Sequence, residues 1–282
     1  MSALRSKQES HIYIAIPARF GSTRLPGKPL LKIGNTTIIS LVAQKAKKLA
    51  DKIMQELKIP TELVVATDHD GIFNEIKNLG QNVIMTDSSL KNGTERVYTA
   101  INELKKQTII NPNDLIINIQ GDEPFISIDD LFELTKQMLI NDSIPIGTLA
   151  FKRNEAHLFF SSSVVKVVKD KNSCALYFSR APIPFPKDTL GSTGTDWLQK
   201  TTELFASKID FYHHVGVYAF RYAALQKFAT ELPSSPLETY ESLEQLRAME
   251  DGWKILVTDC YHPPFGIDTP ADLKKAQSYE NN

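Results

Sequence analysis

Residues 15–30, AIPARFGSTRLPGKPL, concentrate cations among residues that form turns. The segment follows an apolar, β-branched run over 11–16, so it starts at the carboxyl end of a predicted buried strand, where open α/β sheets bind ligands. Its glycines let backbone amides approach phosphate oxygens, and Arg19, Arg24 and Lys28 can neutralise those oxygens. A single cation here would indicate only a solvated basic turn. Three cations on one such loop predict a triphosphate-binding site.

Two acidic turns follow other predicted strand regions. Asp122 lies in QGDEP at 120–124, and Asp268 lies in GIDTP at 266–270. A hard divalent cation held by few carboxylates and bound phosphates is the usual arrangement for Mg²⁺, so these two aspartates predict a magnesium site. Two alternatives remain open. Gly-Asp pairs are common in turns, and Asp268 can also be the N-cap of a helix that starts at Pro270.

Short apolar strands alternate with longer helical patterns along the chain. This order predicts an α/β fold with a Rossmann-like, mostly parallel sheet flanked by helices. A different pattern over 144–220 predicts an inserted smaller lobe that contains β-structure, and 187–208 is expected to be mobile. The predicted strands are 11–16, 62–67, 82–85, 114–119 and 254–258, and the predicted helices are about 37–50, 71–79, 94–106 and 128–140.

Composition excludes several classes of protein. The 282 residues are 42% hydrophobic and carry a formal net charge of −1, which gives no electrostatic reason to expect nucleic acid as a partner. No apolar run approaches the roughly 20 residues that span a bilayer, so no membrane partner is expected. Cys174 and Cys260 have no metal or redox spacing, which favours a reducing compartment. Residues 1–10 are polar and predict a short disordered leader on a cytoplasmic protein.

Residues 15–30 contain neither G-x-x-x-x-G-K-[ST] nor G-x-G-x-x-G, which disfavours P-loop hydrolases and dinucleotide dehydrogenases. The segments IPAR (16–19) and STRLPGKPL (22–30) instead resemble the signature loop of the 3-deoxy-manno-octulosonate cytidylyltransferases, or CMP-Kdo synthetases, which are sugar nucleotidyltransferases. Further matching motifs follow in the same order, and the resemblance covers residues 12–274. It implies a single nucleotidyltransferase domain over 11–282, with the lobe serving sugar binding and dimerisation.

The resemblance implies the reaction of CTP with Kdo, a 2-keto-3-deoxy sugar acid, to give CMP-Kdo and pyrophosphate for lipopolysaccharide biosynthesis. The anomeric 2-hydroxyl would attack the α-phosphorus in line, with Mg²⁺ present and no protein general base assigned. A homodimer is expected by the same resemblance. The alternatives are the same chemistry on 8-amino-Kdo or a sialic acid, and, from a different class, a non-catalytic nucleotide-binding regulator.

The resemblance also implies roles for individual residues. Arg180 suits the sugar carboxylate, and the other sugar-side residues suit its hydroxyls. Alternatives exist for several of them: Arg96 as an exposed helix cation, His214 as a packing residue, and 243–247 as an ordinary amphipathic helix. The predicted catalytic residues are Arg19, Lys28, Asp122 and Asp268; the nucleotide-binding set is Pro17, Ala18, Arg19, Ser22, Lys28, Arg96 and Asp122; the sugar-binding set is Gln120, Arg180, His214, Tyr218, Glu244 and Gln245.

Three departures from the family pattern concern loops. Family members often carry Asn-Pro-Asn where this chain has serines at 161–163, and the usual serine before Gly93 is Asn92. The loop 86–91 lacks the commoner Asp-His pattern. The phosphate, metal and sugar motifs are intact.

Overall fold

The computed structural model describes residues 10–21, 25–90, 92–106, 110–187 and 210–279. Outside these ranges lie residues 1–9 of the predicted leader and residues 188–208 of the predicted mobile stretch. Ser22 and Arg24 of the predicted triphosphate-binding loop also lie outside them. The strands are β1 (Ile12–Ala18), β2 (Lys32–Ile33), β3 (Thr36–Thr37), β4 (Thr61–Thr67), β5 (Asn82–Met85), β6 (Leu115–Asn118), β7 (Ile146–Arg153), β8 (Lys166–Lys169), β9 (Ala175–Ser179), β10 (Phe211–Arg221) and β11 (Ile255–Cys260).

Helices connect these strands and cover the sheet. They are α1 (Ile38–Leu57), α2 (Asp70–Asn78), α3 (Gly93–Lys105), α4 (Ile128–Ile140), α5 (Ala156–Phe160), α6 (Tyr222–Thr230), α7 (Pro236–Glu241), α8 (Gln245–Glu250) and α9 (Pro270–Tyr279). No helix within the described ranges is long and apolar enough to cross a membrane.

The main sheet is buried on both faces, as β1 shows. Ile12, Ile14 and Ile16 face one apolar cluster, which includes residues of α1, α2 and α4. Tyr13 and Ala15 face the other, which includes residues of α3, α6 and α8. This alternation follows from the period of two along a strand, and it produces the predicted three-layer α/β architecture.

The longest predicted helix is longer in the structure than in the prediction. Thr37 caps α1 by accepting a hydrogen bond from the Ser40 amide, and the helix continues to Leu57 because Ile53 keeps the apolar stripe in the core. It ends where Lys58 adopts a left-handed conformation with φ of 59°. The strand β1 also continues beyond the predicted 11–16, through Pro17 to Ala18. Pro17 is tolerated because the ladder to β6 ends at Ala15, so no donor is required there.

The direction in which the chain adds strands to the sheet reverses between β1 and β6. Its strand order is β11-β7-β10-β6-β1-β4-β5, and β6, β1, β4 and β5 are parallel. The chain leaves β1 toward β4 on one side and leaves β6 toward β7 on the other. The loops after β1 and β6 therefore diverge and open a crevice at the carboxyl edge, which is where ligands bind in sheets of this kind.

The strand β10 runs antiparallel to β6, with Tyr218 opposite Asn118, the last residue of β6. The part of β10 before Tyr218 therefore extends past the carboxyl edge of β6, where it pairs with β7 and β8. The segment 144–220, predicted as an inserted lobe, thus contributes two strands to the main sheet. Of the described strands in this segment, only β8 and β9 lie off the main strand path of the sheet.

Candidate active site

Lys28 lies at the centre of the crevice and joins the two predicted metal ligands. Its Nζ donates hydrogen bonds to Asp122 Oδ2 at 2.6 Å and Asp268 Oδ1 at 3.0 Å, and also to the Ile267 carbonyl at 2.7 Å. Burial opposes its charge, but the Asp122 and Asp268 carboxylates outweigh burial and raise the pKa of Lys28 above its ordinary value. Because both carboxylates bond one nitrogen, their oxygens converge on a single cation position.

Close backbone approaches hold these turns together. A Cβ at Gly121 would lie 2.8 Å from the Pro17 carbonyl oxygen, so glycine at this position lets the acidic turn pack against the end of β1. Gly27, with φ of +65°, allows the turn that brings Lys28 inward. The Ile267 amide donates to the Asp122 carbonyl at 3.4 Å and so links the second acidic turn to the first.

The N-cap alternative for Asp268 is not what the structure shows. The Asp272 amide donates to Thr269 Oγ1 at 3.2 Å, and the Asp272 carboxylate accepts from the Thr269 amide at 2.8 Å. The capping interaction at the start of α9 therefore belongs to Thr269. The carboxylate of Asp268 bonds Lys28 instead, because its turn passes directly over the crevice.

A cavity of about 350 Å³ occupies the crevice between the loops after β1 and β6. Backbone of the first loop forms one side, and the amino-terminal end of α3 forms another. The described members of the predicted nucleotide-binding set all line this cavity: Pro17, Ala18, Arg19, Lys28, Arg96 and Asp122.

Arg96 is buried and paired. It is 2% exposed, and its guanidinium donates to Asp68 Oδ2 at 2.9 Å and to Thr86 Oγ1. Its alternative interpretation as an exposed helix cation is therefore wrong. The other oxygen of Asp68 accepts from the Phe20 amide at 3.0 Å, and the Phe20 ring stacks on His69 at 3.8 Å. Through Asp68, Arg96 thus supports the start of the loop after β1, and it also lines the cavity.

A second cavity, of about 780 Å³, adjoins the first. The two share Gly93, Gln120, Glu244 and Asp268 as lining residues, so they meet at the predicted cation position. The second cavity is bounded by the projecting part of β10, the turn before β8 and the segment around α8. All the predicted sugar-binding residues line it: Gln120, Arg180, His214, Tyr218, Glu244 and Gln245.

Polar groups in the second cavity are oriented by their neighbours. The Tyr218 hydroxyl donates to Gln245 Oε1 at 2.9 Å, so the side-chain nitrogen of Gln245, Nε2, points away from Tyr218. That buried nitrogen has no hydrogen-bond partner among the described residues. An unpartnered buried donor in a cavity wall indicates a ligand acceptor, because leaving such a group unsatisfied costs about 1–3 kcal/mol.

His214 and Glu244 are both held from behind. His214 Nε2 lies 2.9 Å from Thr148 Oγ1, and burial lowers the pKa of this imidazole to about 3, so it is neutral. Glu244 accepts a hydrogen bond from Thr94 Oγ1 at 2.9 Å, and burial raises the pKa of its carboxyl. The alternative interpretation of 243–247 as an ordinary amphipathic helix with its Glu and Gln in solvent is wrong for Gln245, which is only 4% exposed.

Residues 13–255 match the family model described as Cytidylyltransferase. The chain belongs to the cytidylyltransferase family. It is 41% identical over 270 residues to the 3-deoxy-manno-octulosonate cytidylyltransferase of Thermodesulfovibrio yellowstonii, covering 94% of this chain and 96% of that one. It is 37% identical over 266 residues to the protein of the same description from Geobacter sulfurreducens, covering 94% and 97%.

Solved structures give the same family and fold. A structure described as CMP:2-keto-3-deoxy-manno-octonic acid synthetase complexed with CTP superposes with a TM-score of 0.80 at 35% identity, covering 96% of this chain and 99% of that one. A cytidylyltransferase from Leptospira borgpetersenii, 19% identical with a TM-score of 0.55, shares the fold. The predicted α/β fold class is confirmed.

The predicted site residues of this cytidylyltransferase did not include Glu123. Glu123 lines the second cavity, and burial, followed by the nearby Asp122 and Asp268 carboxylates, raises its pKa to about 8. A Cβ at Gly266 would lie 2.9 Å from Glu123 Oε1, so this carboxyl packs directly on the second acidic turn. The adjacent position of Glu123 in QGDEP was the only signal for it.

Proposed function

We propose that this protein is a 3-deoxy-manno-octulosonate cytidylyltransferase, which uses CTP to activate Kdo as CMP-Kdo with release of pyrophosphate. The observation that carries the proposal is the pair of adjoining cavities, which share Gln120, Glu244 and Asp268 in their lining. Asp268 in turn bonds Lys28, which also bonds Asp122. One cavity has the cationic and backbone groups that suit a nucleotide, and the other has the paired donors and acceptors that suit a polyhydroxylated acid. The relatives named above carry the same activity in their descriptions.

The residues present fit Mg²⁺. Asp122 and Asp268 already bring carboxylate oxygens together around one cation, the Lys28 ammonium, so they would hold the metal with phosphate oxygens as further ligands. Bound there, Mg²⁺ supplies charge neutralisation for the α-phosphate. Among the described residues no group of three or more His, Cys, Asp or Glu side chains could hold a metal ion.

The chain's own residues position the two substrates for in-line attack. Lys28 and Arg19 would bind the triphosphate, and the backbone at Pro17 and Ala18 would contact the base. Glu244 and Gln245 would orient the sugar by its hydroxyls, at the end of the cavity nearest the nucleotide. Holding both reactants in one orientation supplies much of the rate enhancement.

Pyrophosphate release measured over a panel of substrates tests the proposal. Each of CTP, UTP and ATP is combined with Kdo, 8-amino-Kdo and N-acetylneuraminate. We expect the highest kcat/KM for CTP with Kdo. Higher turnover with either other acid would reassign the acceptor, and no turnover with any pair would favour the non-catalytic regulator.

Substitutions on the sugar side should separate the two substrates. Arg180→Ala and Glu244→Ala are each expected to raise the KM for Kdo by about tenfold, since each loses one charge-assisted contact, while the KM for CTP changes little. Initial-rate kinetics with each substrate varied in turn measure both constants. An equal loss for both substrates, with a native melting temperature, would contradict the assignment of the second cavity to the sugar.

We extend the proposal to a cytoplasmic homodimer. Cys174 and Cys260 are both free thiols, as a reducing compartment favours. Leu176 on β9 is 61% exposed and Phe185 is 52% exposed. Among the described strands β9 pairs with β8 alone, so this edge is suited to a second copy. Light scattering on the purified chain measures the mass, and a monomer would contradict the dimer.

A further inference from the structure

Lys166 is a buried cation directly behind the wall of the second cavity. It is 0% exposed, although it lies at the start of β8 beside the turn at 161–164. Its Nζ donates three hydrogen bonds, to the carbonyl oxygens of Ser161 at 3.0 Å, Val164 at 2.7 Å and Arg180 at 2.5 Å. One ammonium therefore ties the turn that forms the cavity wall to the end of β9.

Arg180 completes the same wall from the cavity side. Its guanidinium donates to the carbonyl of Ser162 at 2.9 Å and to that of Glu241 at 2.7 Å, with a longer bond of 3.4 Å to Ser242. A guanidinium has five N–H donors, so these three bonds fix its plane and leave donors for a ligand. Lys166 and Arg180 both bond carbonyls of the 161–164 turn, so each stabilises the backbone that positions the other.

The charges of this wall do not balance. Within the described part of the chain, no carboxylate oxygen lies within 4 Å of the Lys166 ammonium or the Arg180 guanidinium. The nearby Glu241 carboxylate instead accepts from Ser179 Oγ at 2.6 Å and the Arg180 amide at 2.9 Å. Among the described residues around the 161–164 turn, these two cations and one carboxylate leave a net positive charge on this side of the cavity. The described hydrogen bonds of both cations go to neutral carbonyl oxygens, which do not cancel a positive charge, so the arrangement favours an anionic ligand.

We propose that Lys166 is a positioning residue for the acidic acceptor: it holds Arg180 and the 161–164 turn in place and, from behind the wall, supplies the second positive charge that the acceptor's carboxylate neutralises. This proposal rests on the proposed function of the second cavity. It assigns a role in acceptor binding to a residue that does not line the cavity and that the sequence motifs did not single out. It also explains why a lysine is fully buried at a strand start, where an apolar residue would pack at lower cost.

The test compares Lys166→Met with Lys169→Met. Lys169 lies on the same strand but pairs with Asp259 at 2.5 Å and does not line either cavity. For Lys166→Met we expect the KM for Kdo to rise by about tenfold, with the KM for CTP and kcat at saturating Kdo within about twofold. For Lys169→Met we expect no change in either KM. Pyrophosphate release at saturating Kdo in Lys166→Met would show that the proposed function stands whatever the KM values are.

Two results would overturn the proposal. One is an unchanged KM for Kdo in Lys166→Met. The other is an equal rise in the KM of both substrates together with a lowered melting temperature, which would mean a structural role alone.

The pH dependence of the unsubstituted protein gives a second measurement, which does not depend on a variant that folds. Burial lowers the pKa of Lys166 to about 8, so its charge is present below that pH and is lost above it. The charged groups that face it are Arg180 and Glu241, and His213 across β10 stays neutral because burial lowers its pKa to about 4. We expect kcat/KM for Kdo to fall as pH rises from 7 to 9 while the KM for CTP stays level. A flat profile for Kdo would overturn the proposal.

Discussion

Asp122→Asn and Asp268→Asn are each expected to lower kcat by about 10³-fold, or about 4 kcal/mol of transition-state stabilisation. Each substitution removes one of the two carboxylates that converge on the cation position. The fold should survive, because the two side chains are 37% and 50% exposed and asparagine keeps their shape. Pyrophosphate release at saturating CTP and Kdo measures the loss, and a magnesium titration shows whether more metal restores it.

The surface pair Lys52–Asp129 supplies a matched control. Its ion pair of 2.5 Å resembles that of Lys28 with Asp122, but Asp129 is 71% exposed and lines neither cavity. Asp129→Asn should therefore leave kcat unchanged, since exposed ion pairs contribute about 0–1 kcal/mol. Near-normal turnover in both Asp122→Asn and Asp268→Asn would contradict the two-aspartate site.

Lys28→Met is expected to lower kcat/KM for CTP by about 10²-fold, from the loss of about 1.5–3 kcal/mol per charge-assisted contact. The effect should exceed that of Arg19→Met, because Lys28 is 7% exposed and bonds both aspartates, whereas Arg19 is exposed. Calorimetry with CTP measures the binding part of the loss, and Lys52→Met is the matched control.

A double-mutant cycle tests whether Lys28 acts through the aspartates. If the side chains work as one unit, Lys28→Met combined with Asp122→Asn should cost much less than the sum of the single losses. Additive losses would mean that Lys28 binds phosphate independently of the aspartates. Unchanged CTP affinity in both Lys28→Met and Arg19→Met would mean that the loop is a solvated basic turn and does not bind the triphosphate.

The sequence alone determined the architecture and the chemical character of the site. Strand and helix periods, together with local caps, are encoded over a few residues, so the predicted elements lie close to the observed ones. The strand-then-turn order also placed the cationic loop and QGDEP at carboxyl ends of parallel strands. Those ends share one edge of the sheet, which made a shared ligand site at that edge predictable.

The tertiary structure decided which residues meet and what each one bonds. Lys28 is separated from Asp122 by 94 positions and from Asp268 by 240, and no local pattern encodes their common hydrogen bonds. The structure assigns the cap of α9 to Thr269, while the carboxylate of Asp268 bonds Lys28 instead.

Burial of polar groups is likewise a property of the packed chain. Arg96 reads as a surface helix cation until Asp68 and Thr86, on other elements, close over it. Lys166 reads as one more strand lysine until the carbonyls of Ser161 and Val164, in the turn before β8, and of Arg180, after β9, surround its ammonium. Sequence patterns report local periodicity, whereas desolvation and pairing depend on contacts between elements far apart in the chain, and only the folded structure supplies those contacts.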